Sequence, residues 1–239
     1  MFDPVTLFDD GTKGFLWLPS PSTTFTDDAA SIAATVGDQI AVLNDESVNG
    51  YNGTQIVAAD RPLLLQEGTG EYFFRTDGVS DKLSFPIDTA TGSSVTAVWA
   101  IRNTSDPNFL MFGSAVGQIY YHVRGKELDA SNALGSNQSG NITSYAARVN
   151  GVTQSWAIVN NVHDAIRGAA ARVLTVENMD CSASVFNPSL MFDVNFSNFA
   201  LTPSVMAAVD CFGVFFINRA LTATERDDVE AYMTNLIPE

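Results

Sequence analysis

The densest run of chemically useful side chains is Glu225-Arg226-Asp227-Asp228-Val229-Glu230. On a strand, residues two apart share a face, so Glu225 and Asp227 could serve one cleft as nucleophile and general acid in cleaving a glycosidic bond. The flanking residues predict a helix instead. Thr222 and Glu225 have the spacing of a capping box, and Leu221 stands where a hydrophobic staple would. Glu225, Asp227 and Asp228 occupy the first turns, favourable for the helix dipole. At about 100° per residue, Glu225 and Asp227 diverge by about 200°, so they are expected as solvent-facing helix charges and not as a dyad.

Asp77 and Asp81 flank a turn through Gly78. Two loop carboxylates could hold Ca²⁺, which takes oxygen ligands, or contact a sugar. The competing reading is structural: Asp77 shapes the turn and Asp81 bonds nearby backbone N–H groups. His122 and His163 are the two histidines, and neither has the spacing of a metal pair. No nucleophile elbow, Cys–His signature or phosphate-binding glycine loop occurs. Calcium is therefore the one cofactor considered. Trp99 and Trp156 lie in strand patterns and are expected in the core, whereas Trp17 and the neighbouring Phe15 are the candidates for a subunit interface.

The elements that must position these residues are short β-branched and aromatic runs punctuated by Gly, Asn, Asp, Ser and Pro, the pattern of an all-β sandwich or barrel. Strands are expected at 94–101, 109–112, 118–124, 145–149, 155–159 and 172–176, with one or two within 189–201. The run Cys211 to Ile217 is almost continuously apolar, as in a strand covered on both faces. Asn49-Gly50, Asp77-Gly78 and Asn150-Gly151 supply residues that tolerate positive φ, and 134–144 reads as a polar loop. One helix is expected over 222–236, with Val229, Tyr232, Met233 and Leu236 as its buried stripe. Residues 1–60 read as a less regular arm packing on a sandwich that spans 61–239, and an arm of this kind can also reach a neighbouring subunit.

The chain has 239 residues, 46% of them hydrophobic and 16% charged, enough apolar material for a large core and too little charge for disorder. A net charge of −15 with no basic cluster argues against nucleic acid and anionic membrane surfaces as partners. No stretch approaches the ~18 apolar residues of a membrane helix. Cys181 and Cys211 sit in or beside apolar runs, where a free thiol behaves as a small hydrophobe; whether they pair stays open. The start, Met1-Phe2-Asp3-Pro4, lacks a basic, apolar leader, so synthesis in a cytoplasm is expected.

Three segments resemble concanavalin A-like (laminin-G-like) jelly-roll proteins of tailed-phage and prophage structural clusters. The first runs from Gly14-Phe15-Leu16-Trp17-Leu18-Pro19-Ser20 through Phe25-Thr26-Asp27, Val36-Gly37-Asp38-Gln39-Ile40, Asp45-Glu46-Ser47 and Gly53-Thr54-Gln55 to Arg61-Pro62. The second is Phe74 to Leu83, where Thr76 replaces the family's Phe beside Asp-Gly. The third is Gly213 to Thr222, with an Asn218-Arg219-Ala220-Leu221 turn, leading into Glu225-Arg226. Residues 102–200 match poorly.

The resemblance implies a jelly-roll sandwich with one C-terminal helix. It also implies a non-enzymatic virion protein (capsid decoration, head fibre or tail-associated), made in the bacterial host cytoplasm. Such a protein would form a homo-oligomer, a trimer before others, and contact other virion proteins. The alternative is a lectin-like module binding host surface glycan, and the remotest is a glycan depolymerase. No catalytic motif comes with the resemblance, so function follows by association alone.

Overall fold

A computed structural model describes residues 2–77, 80–86, 94–103, 113–114, 146–154, 170–179, 191–195 and 208–238. In chain order the strands are β1 (Gly14–Trp17), β2 (Thr24–Phe25), β3 (Val42–Leu43), β4 (Gly53–Thr54), β5 (Leu63–Gln66), β6 (Tyr72–Arg75) and β7 (Lys82–Pro86). There follow β8 (Val95–Asn103), β9 (Gly113–Ser114), β10 (Ala146–Val149), β11 (Val152–Thr153), β12 (Arg172–Met179), β13 (Met191–Asn195) and β14 (Val209–Ile217), then helix α1 (Ala223–Thr234). Among the described residues these form two antiparallel sheets, ordered β11-β10-β12-β8-β14-β6-β5, with β1 also on β14, and β2-β3-β4-β7-β13-β9. The protein is an all-β sandwich with one short C-terminal helix.

The large sheet is covered on both sides. One face carries Val98, Ala100, Val173, Phe212, Phe215 and Ile217, buried against Val229 and Met233 of α1 and Phe8 of a short 3-10 helix, Pro4–Phe8. The other meets the small sheet, where the Trp17 ring lies against Gly53 of β4. All nine residues of β14 are buried, which explains its lack of alternation. A bulge puts Phe212 opposite no partner, between the pairs Cys211–Ile101 and Gly213–Ala100. A Cβ on Gly213 would come within 2.8 Å of the Leu236 methyl, so the glycine lets the helix-side chains pack close to the bulge.

Strands expected at 94–101, 145–149, 172–176 and 211–217 appear as β8, β10, β12 and β14, and β13 falls within 189–201. The expectations at 109–112, 118–124 and 155–159, the loop 134–144, and His122, Trp156, His163 and Cys181 lie outside the described residues. Asn150 and Gly151, with φ of 49° and 75°, make the two-residue turn between β10 and β11. Within 1–60, β1 pairs along its length with β14 at the centre of the large sheet, and β2, β3 and β4 extend the small one. The interface reading of Trp17 and Phe15 is corrected: they are 0% and 1% exposed. Phe15 stacks between Trp17 and Phe216, with centroids 4.4 and 5.4 Å away, and Trp17 Nε1 donates to the Tyr51 carbonyl at 2.9 Å. Burial of such rings stabilises by roughly 1.5–3 kcal/mol each, and inside the chain's own core they have no surface to offer.

Candidate functional site

Helix α1 begins as its sequence requires. The Thr222 side chain accepts from Glu225 N, Glu225 accepts from Thr222 N, and Val229 and Met233 are buried while Tyr232 and Leu236 are partly so. Arg219 grips Glu225 through both Nη atoms, at 3.0 and 2.8 Å, and its carbonyl accepts from Thr96 Oγ1. Asn218 donates its N–H to the Lys13 carbonyl, so the Asn218-Arg219-Ala220-Leu221 turn is tied to the strands beside it. The Arg219 guanidinium and the cap bonds hold the Glu225 carboxyl down at about 2. Asp227 pairs with Arg226 at 2.9 Å. Glu230, the last acid of the run, is buried and takes Arg148 Nε at 2.9 Å. Glu230, with Asp227 3.4 Å from the same guanidinium, thus holds the helix to β10, while Glu225 ties it to the turn before it.

Asp77 and Asp81 close their own turn. Asp77 N donates to Asp81 Oδ2 at 2.8 Å, while Ser80 N and Asp81 N donate to Asp77 Oδ1 at 3.0 and 3.3 Å. Asp81 is buried, and burial, reinforced by the Asp77 charge, pushes its carboxyl up to about 7. Among the described residues no group of three or more His, Cys, Asp or Glu is placed to hold a metal.

Asp45-Glu46-Ser47 and Arg61-Pro62 also have structural work. Asp45 accepts from Leu16 N, Ser47 N, Ser47 Oγ and Tyr51 N, which staples the 45–51 loop to β1. Arg61 donates to the carbonyls of Gln55 and Thr26 and pairs with Asp28. Cys211 is a free buried thiol, its pKa raised by burial.

The group that sequence reasoning missed lies on the helix-side face of the large sheet. Asp210 of β14 stands directly across from Arg75 of β6 on one side and Arg102 of β8 on the other. Cross-strand partners in register lie about 5 Å apart at Cβ, within reach of a guanidinium. The Asp210 side chain is fully buried and accepts from Arg75 Nη2 at 3.0 Å and Arg102 Nε at 2.8 Å. Arg102 Nη2 also bonds Glu67, and its guanidinium lies over the Phe73 and Phe212 rings, 5.6 and 5.5 Å from their centroids. The bond to Asp210 raises the Arg75 pKa; burial works against the charge of Arg102, but Asp210 and Glu67 outweigh it.

Beside this group opens a cleft of about 470 Å³, lined by Glu67, Gly68, Thr69, Arg102, Ala170, Ala171, Arg172 and Pro238. It lies between the turn after β5, the start of β12 and the end of the chain. Arg172 donates Nη1 to the Ala171 carbonyl at 2.8 Å, and among the described residues its guanidinium has no carboxylate. The signal in sequence is one acid, Asp210, inside a run that is otherwise apolar, since a buried charge demands partners. Nothing local names those partners, which come from strands more than 100 residues away.

No family model and no curated protein matches this chain. A solved structure titled a Trypanosoma rangeli sialidase in complex with 2-keto-3-deoxy-D-glycero-D-galacto-2,3-difluoro-nononic acid is similar over 99% of this chain, at 12% identity and a TM-score of 0.46. The chain spans 39% of that structure's length, and a likeness at this level carries no argument about chemistry.

Proposed function

We propose that the protein is a non-enzymatic structural component of a bacteriophage virion, a concanavalin A-like sandwich that assembles with copies of itself and with other virion proteins. The observation that carries this reading is the placement of exposed aliphatic side chains. Of the six large hydrophobic residues exposed among those described, five fall within 32–57: Ile32, Val36, Val48, Ile56 and Val57. Arg61 links two of them, donating to the Ile56 carbonyl and to the carbonyl of Thr26, whose N–H in turn bonds Ile32. Aliphatic groups rimmed by a charged pair, here Arg61 and Asp28, suit a subunit contact. The resemblance of the three segments adds the virion context, and the structural duties of the helix acids support a role without catalysis.

Light scattering on the purified protein, with and without Ca²⁺, tests the reading. A trimer or larger assembly that Ile56→Asp dissolves is the expected result. A monomer in both conditions would sink it. A second reading, a lectin-like module for host glycan, is favoured by the arginine-lined cleft, whose size falls in the range of small-molecule sites, about 300–1,000 Å³.

A further inference from the structure

We infer that copies of the protein join head to tail, the aliphatic face within 32–57 of one copy receiving the β10–β11 hairpin of the next at Val152; this rests on the assembly reading and names the partner surface. Val152 is the sixth exposed large hydrophobic residue, 63% exposed, and the one outside 32–57. It stands on β11, the end strand of the large sheet among the described residues, and both residues of β11 are exposed. An open edge strand is a template for another chain. The hairpin is ordered before any partner arrives: Asn150 N donates to the Val173 carbonyl at 2.8 Å, and Val173 N donates to Asn150 Oδ1 at 2.9 Å. An ordered tip loses little entropy on docking.

Charge sets the pairing. Residues 27–61 hold six acids, Asp27, Asp28, Asp38, Asp45, Glu46 and Asp60, against one base, Arg61. They lie among the aliphatic groups: Asp27 accepts from Ile32 N at 2.7 Å, Asp38 accepts from Thr35 N at 2.8 Å, and Asp60 N donates to the Val57 carbonyl at 3.0 Å. Two such faces pressed together would set carboxylates against carboxylates, the like-charge contact that suppresses association. Residues 149–154 carry no charge, and Glu230 and Asp227 on the α1 side of the hairpin are engaged by Arg148. The uncharged tip therefore covers the aliphatic face without that repulsion. Position agrees with charge. Gly37 N donates to the Leu64 carbonyl and Leu64 N to the Asp38 carbonyl, so the segment after Val36 runs along β5, at the opposite end of the sheet from β11. A contact between two different surfaces repeats from copy to copy, and a trimer needs such a contact, since identical patches meeting make only pairs.

Light scattering on the full chain with Ile56→Asp and Val152→Asp, each alone and mixed in equal amounts, tests the inference. Both side chains are exposed, at 75% and 63%, so the thermal midpoint should stay that of wild type. Each variant alone is expected to be a monomer where wild type assembles, its association weakened by at least about tenfold. The mixture should give one-to-one dimers, because Ile56→Asp keeps an intact hairpin and Val152→Asp an intact face; misfolded chains would not recover this. A Val152→Asp protein that assembles like wild type would overturn the inference and leave assembly through the 32–57 face standing. Two variants that stay monomeric when mixed would overturn it too, since the two surfaces would then not meet each other. A monomeric wild type, or an Ile56→Asp protein that assembles normally, would sink it together with the assembly reading.

Discussion

Asp210 and Arg102 face each other in register across β14 and β8, with the buried carboxylate accepting from the guanidinium Nε at 2.8 Å. Arg75 holds the same carboxylate from the opposite strand, so one buried acid joins three strands, and Glu67 on Arg102 supplies the second negative charge. Removing Asp210 would leave two arginines facing a hole at 0% exposure. Because Arg75 is 41% exposed and Arg102 keeps Glu67, Asp210→Ala should destabilise the protein by about 2 kcal/mol, less than the cost of stranding a fully buried charge. Urea unfolding measures this, and a loss below about 1 kcal/mol, as for exposed pairs, would show that water reaches the cluster.

Glu225 is held at about 2, first by Arg219 and then by the helix cap. A folded pKa below the unfolded value of about 4.3 contributes stability above that value and loses it as pH falls towards the folded one. Glu225→Gln should be less stable than wild type by about 1 kcal/mol at pH 7, with the two proteins converging near pH 2. Denaturation curves that stay equally separated at every pH would exclude a charge-based role.

The sign reverses at Asp81, whose folded pKa of about 7 lies above the unfolded one. The fold favours the neutral carboxyl, so stability is highest below about pH 4 and falls as pH rises to about 7. Asp81→Asn keeps an acceptor for the Asp77 N–H without a charge, and should remove this decline. A wild-type profile that runs parallel to the variant's from pH 4 to 8 would contradict it.

Gly53 marks where the two sheets touch. A methyl group there would stand 2.9 Å from the Trp17 ring, which its bond to Tyr51 and its stack on Phe15 hold in place. Gly53→Ala should cost about 1–3 kcal/mol by overpacking. A thermal midpoint equal to wild type would mean that the sheets separate more easily than the contact implies.

Local pattern was enough for much of the architecture. The Thr222–Glu225 box, the Asn150-Gly151 turn and the unbroken apolar run of β14 each depend on residues a few positions apart, so spacing alone specifies them. Short strands separated by turn residues likewise announce a β-sandwich. Other features depend on which strands become neighbours, and no local pattern carries that. Trp17 and Phe15 read as surface candidates, yet β1 pairs with β14 at the centre of the large sheet and buries both. Nothing in the spacing of Glu230 announces its burial, which depends on Arg148 of β10 being placed against it. The ion cluster is the extreme case: Glu67, Arg75, Arg102 and Asp210 are scattered through the chain and meet only because antiparallel pairing sets Asp210 opposite two arginines at once. Sequence spacing determined the elements, while long-range strand register decided which charges would be buried together and where a binding surface could form.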